Sequence, residues 1–74
     1  MSTVDHPKHY NAGRIEVIDA IEDWSPSWPD AVAFHLGNAI KYVARAGKKD
    51  DTVQDLKKAV WYLNRAIEKL EQKP

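Results

Sequence analysis

The stretch TVQDLKKAVWYLNRAIEKL, residues 52–70, decides what kind of protein this is. Val53, Leu56, Val60, Leu63, Ile67 and Leu70 recur three and four positions apart, which gathers them on one stripe of an α-helix rather than on one face of a strand. Neither proline nor glycine interrupts the run. The spacing predicts a helix over 52–72, with Thr52 and Asp55 as the capping pair at its start. In a chain that offers little other core, the stripe is expected to pack against a second helix as an antiparallel hairpin. A coiled-coil dimer through the same stripe is the competing use of the pattern.

The partner helix is read just upstream. Val32, Leu36, Ile40 and Val43 follow helical spacing and end at Gly47, a C-cap signal. Ser27, with Asp30 three positions on, is the expected N-terminal cap, giving a helix over 29–46. Before it, SPSWPD breaks the chain, because Pro26 and Pro29 restrict their preceding residues and carry no backbone donor. GRIEVIDAIEDW then reads as a short helix over 14–24, with Val17, Ile18, Ile21 and Trp24 on its apolar side and Glu16, Asp19, Glu22 and Asp23 between them. The remaining residues, 1–13, are a polar arm containing His6, Pro7, His9 and Tyr10. The expected architecture is all-α: one domain over 1–74, built of a short N-terminal helix and an antiparallel helical hairpin, with an ordered arm across it.

Seventy-four residues leave much of the surface exposed and secure only a few kcal/mol from a single core. With Trp24, Trp28 and Trp61 also to be covered, a homo-oligomer is expected. Eleven basic and eleven acidic residues cancel, which argues against an extended nucleic-acid partner or a membrane surface, since both call for a basic excess. There are no cysteines, so neither disulfides nor thiolate metal sites are available. The arm has no apolar run and no later segment is long enough to span a bilayer, so a cytoplasmic protein is expected.

Within this neutral chain Asn38, Lys41 and Arg45 fall within a stripe about 60° wide. They are suited to hold a phosphate, or equally to pair with Glu16 and Asp19 and so tie the first helix to the second. His6, His9 and His35 lack a nearby carboxylate ligand, and zinc sites call for three or four protein ligands; no metal is expected. The acidic ladder Glu16, Asp19 and Glu22 lacks a second acidic motif on a partner helix. Ser2, Ser25 and Ser27 lie in an arm and a proline turn, with no elbow to expose a nucleophile. AGKKDDT lacks the strand and upstream glycine of a phosphate loop; its Lys48 either complements the helix dipole or contacts phosphate. Trp61 shares a face with Lys57, Asn64 and Arg65, fitting a subunit contact or a base-stacking platform. Tyr42 and Tyr62 flank the hairpin. No catalytic set and no cofactor are read.

Taken together, HPKHYNAGRIEVIDAIEDW, LGNAIKYVARAGKKDD and DLKKAVWYLNRAI resemble a family of small phage proteins of unknown function called SaV-like, over nearly the whole chain. A related domain occurs in a short phage nucleotide kinase that lacks a P-loop and acts on nucleoside monophosphates. The resemblance implies phage origin and nucleotide handling, with its pattern falling on His9, Tyr10, Gly13, Glu16, Asp19, Asn38, Lys41, Tyr42, Arg45, Lys48, Asp55 and Tyr62. The expected function is capture of a nucleotide or nucleotide-derived host immune signal by His9, Tyr10, Asn38, Lys41, Tyr42, Arg45, Lys48 and Trp61. A nucleoside monophosphate kinase and a non-catalytic structural protein are the alternatives.

Overall fold

The computed structural model describes residues 14–48 and 51–72; the arm expected over residues 1–13 lies outside them. The described residues form three α-helices and no strand: α1, Val17–Trp24; α2, Ala33–Arg45; and α3, Thr52–Glu71. None of these helices is long and apolar enough to cross a membrane.

α1 begins later than its hydrophobic pattern suggested. Glu16 is extended (φ −71°, ψ 140°) and its carbonyl accepts the Ala20 N–H at 3.2 Å, so the helix proper starts at Val17. The Ser27 hydroxyl donates back to the Trp24 carbonyl at 2.8 Å. It therefore closes the end of α1 within a 3₁₀ turn, Ser25–Ser27, and does not cap the next helix.

The expected continuous helix over 29–46 is also corrected. Pro29 is extended (φ −60°, ψ 134°) and a second 3₁₀ turn, Asp30–Val32, precedes α2. Val32 leaves helical geometry (φ −125°, ψ 6°) and is completely buried, because this turn meets both α2 and α3. Burial of one branched side chain is reason enough for the break, since each such chain removed from water contributes about 1.5–3 kcal/mol. At its other end α2 stops where the sequence indicates. Gly47 adopts φ 84°, a conformation glycine reaches without steric cost, and the Lys48 N–H reaches the Arg45 carbonyl at 2.9 Å.

The most extensive contact lies between α2 and α3, but the stripe that makes it is not the one the periodicity picked. Val53, Leu56, Val60, Leu63, Ile67 and Leu70 remain 42–60 % exposed. The buried residues are Ala39 on α2 and Asp55, Ala59 and Ala66 on α3. With Tyr62, the α3 residues form a second helical stripe centred about 100° round the axis from the apolar one. Its methyl side chains suit close approach of two helices, whose separation follows the size of the side chains at the contact.

Asp55 explains this rotation. Its Oδ1 accepts from Arg45 Nε at 3.0 Å and from Nη2 at 2.5 Å, with the two side chains only 4 % and 13 % exposed. The pair ties α3 to the last turn of α2, whereas the sequence allowed Arg45 to pair with α1. Nor does the expected pair of Thr52 and Asp55 provide the N-cap of α3. That role falls to Asp51, whose carboxylate accepts the Gln54 N–H at 3.0 Å.

Removing one member of a buried ion pair leaves the other charge unmet, at a cost of about 3–5 kcal/mol. Asp55→Ala is expected to lose stability of that order in urea denaturation. Ala59→Leu, which overfills the α2–α3 contact, is expected to lose about 1–3 kcal/mol.

Candidate functional site

α2 carries Phe34, Asn38 and Lys41 on a face turned toward α1, at the four- and three-residue steps that align side chains along a helix. With Ile21, Ala33 and Gly37 they line an open groove of about 280 Å³. Gly37 lies at the close approach of the two helices, where a Cβ would stand 3.5 Å from Ile21 Cγ2. Phe34 is 69 % exposed, so the groove presents a bare aromatic ring. Asn38 donates from Nδ2 to the Phe34 carbonyl at 2.8 Å, which holds its amide in the groove and leaves its oxygen as an acceptor.

At the end of this groove Lys41 leads to a second feature. The Tyr42 ring stacks on Tyr62 of α3 with centroids 5.9 Å apart and planes 14° from parallel. Among the described residues three cations lie over it: Lys41 Nζ at 4.7 Å, Arg45 Cζ at 4.8 Å and Lys58 Nζ at 5.3 Å from the ring centre. Attraction to an aromatic face, about 0.5–1 kcal/mol per cation at exposed sites and more where the cation is desolvated, offsets part of the repulsion among like charges. Arg45 is engaged by Asp55. Neither Lys41 nor Lys58 has a carboxylate within ion-pair distance among the described residues. The result is a local positive centre on a chain of zero formal net charge.

The sequence reading missed Phe34 and, on α3, Lys58. The lysine stands three positions after Asp55 and four before Tyr62, and so flanks the stripe packed on α2. Once that stripe is recognised, Lys58 is legible as the cation that α3 brings to Tyr42.

The other expected site residues divide by location. Asn38 and Lys41 line the groove; Lys41, Tyr42 and Arg45 form the cation cluster. Lys48 donates from Nζ to the Ala44 carbonyl at 2.6 Å, an interaction that closes the C-terminus of α2 and complements its dipole. Trp61 is 60 % exposed and borders a separate shallow depression of about 440 Å³ with Asn64, Arg65 and Glu68. It meets Tyr62 edge to face at 5.0 Å. His9 and Tyr10 lie outside the described residues.

His35 meets Phe34 edge to face at 5.6 Å, and its Nδ1 is buried without a hydrogen-bond partner among the described residues. No three His, Asp or Glu side chains among those residues gather into a metal-binding group. What the groove and cluster together provide is positive charge, a flat ring and one amide, which are the elements of recognition for an anion with an aromatic portion.

Compared with known proteins, residues 4–64 match the model of a family described as a protein of unknown function, DUF3310. No curated protein and no solved structure matches the chain.

An anion bound between Lys41 and Lys58 stabilises the folded chain by mass action. Pyrophosphate at fixed ionic strength is therefore expected to raise the melting temperature above its value in chloride, and a Lys41→Gln, Lys58→Gln double variant is expected to lose that rise. In chloride each single substitution is expected to leave stability within about 0.5 kcal/mol, as for surface side chains generally.

Proposed function

Because the chain belongs to DUF3310, a family whose description assigns no activity, its role rests on its own residues, and we propose that it binds a nucleotide. The observation that carries this reading is the pair of lysines, Lys41 and Lys58, without carboxylate partners among the described residues, at 4.7 and 5.3 Å from the Tyr42 ring beside the exposed ring of Phe34. Phosphate meets the lysines, the base lies on Phe34, and the Asn38 amide oxygen reads a donor on the base or sugar. The groove of about 280 Å³ falls just below the size of small-molecule sites, roughly 300–1,000 Å³, so a further element must cover the ligand. His9 and Tyr10 of the arm are proposed for that task.

The resemblance to SaV-like phage proteins supplies the setting: a phage protein working in the host cytoplasm, with α2 and α3 as an antiparallel hairpin and copies assembled as a homo-oligomer. There it captures a nucleotide or nucleotide-derived immune signal and lowers its free concentration. Capture requires affinity, abundance and slow release, with no chemical change to the ligand.

Calorimetric titration with mononucleotides, cyclic dinucleotides and cyclic ADP-ribose-type signals tests the reading. At least one is expected to bind, with Phe34→Ala and Lys41→Glu each weakening affinity tenfold or more, about 1.4 kcal/mol, the scale of one stacked base or one charged contact. Ligand released by heating is expected unchanged. Conversion of a monophosphate to a diphosphate in the presence of ATP and magnesium would assign the protein to the kinase alternative, and absence of binding across the panel would leave a structural role.

A further inference from the structure

The outward stripe of α3 has a stricter order than helical amphipathicity requires. Its spacing is a heptad repeat in which every first apolar position is β-branched (Val53, Val60, Ile67) and every second is leucine (Leu56, Leu63, Leu70). That division is the one that favours two parallel strands in a coiled coil. All six side chains are 42–60 % exposed, along a 20-residue helix that is about 30 Å long.

We infer that two copies of this chain pair through α3 as a parallel coiled coil along this stripe. The area is sufficient: six half-exposed side chains offer roughly 500 Å² per copy and about 1,000 Å² in a symmetric pair, where specific interfaces begin. Charge agrees as well. One flank of the stripe carries Lys57, Asn64 and Glu71, and the other carries Thr52, Ala59 and Ala66. Ala59 and Ala66 are already buried within the chain and Thr52 is uncharged, so the second flank brings no charge to the seam that could oppose Lys57 or Glu71 of the first. The rest of the chain is a poor occupant, because residues 1–13 contain only Met1, Val4 and Tyr10 as large apolar groups. Lys58 lies about 170° from the stripe, so pairing leaves the cation cluster open on the outer side of each copy. Assembly and nucleotide binding therefore stand or fall separately.

The chain lacks cysteine, which permits a direct test on the full-length protein. Light scattering at high micromolar concentration is expected to give twice the monomer mass. Val53→Cys is expected to cross-link to itself on mild oxidation, since first positions face each other in a parallel pair. Leu63→Glu is expected to give the monomer mass with helical circular dichroism retained, and Leu70→Glu, nearer the free end of α3, serves if Leu63→Glu does not fold. A wild-type monomer would overturn the inference, as would a dimer indifferent to both glutamates. Cross-linking of Val53→Cys only to a Leu70→Cys partner would overturn the parallel arrangement. A rise in mass on deleting residues 1–13 would show that the arm, and not a second copy, covers the stripe.

Discussion

The ion pair between Arg45 and Asp55 sets the geometry on which the rest of the molecule depends. A carboxylate 4 % exposed is costly to desolvate unless its partner is held in place, so α3 must turn Asp55 toward the end of α2. Once that rotation is fixed, Ala59, Tyr62 and Ala66 follow Asp55 inward by helical periodicity. The same rotation brings Tyr62 against Tyr42 at 5.9 Å and carries Lys58 over the Tyr42 ring. One buried charge thus determines the helix contact, the aromatic stack and the grouping of cations.

Electrostatically the cluster is a local departure in a balanced chain. Eleven charges of each sign produce little long-range field, so an anion meets attraction only within about a Debye length of Lys41 and Lys58, some 8–10 Å at moderate salt. Recognition at such a place depends on contact geometry more than on steering. The exposed Phe34 ring and the anchored Asn38 amide supply that geometry beside the charge.

Much of the architecture was legible in the sequence, and the parts that were not share a cause. Apolar spacing located three helices, and Gly47 marked the end of α2, because those signals act along the chain. The rotation of α3 was not legible, since periodicity gives weight to the largest side chains whereas the contact with α2 is made by alanines and a charge. Asp55 read as a capping residue for the same reason: local chemistry favours a carboxylate in a first helical turn, and only tertiary contact with Arg45 overrides it. In the site, Asn38 and Lys41 came from spacing on one helix. Lys58 and Phe34 did not, because their roles arise where separate helices meet.

The alanine stripe also governs how this sequence can drift. Ala39, Ala59 and Ala66, each 3 % exposed, occupy buried positions where larger side chains strain the packing and glycine weakens the helix. Along the outer stripe, exchanges that keep both volume and branching, such as valine for isoleucine, cost little. Two sides of a single helix are thus subject to unequal constraint, with the less hydrophobic side the more tightly held. Substitutions tolerated over generations will accumulate where the residues look most like a core, and the small, unobtrusive side chains will stay.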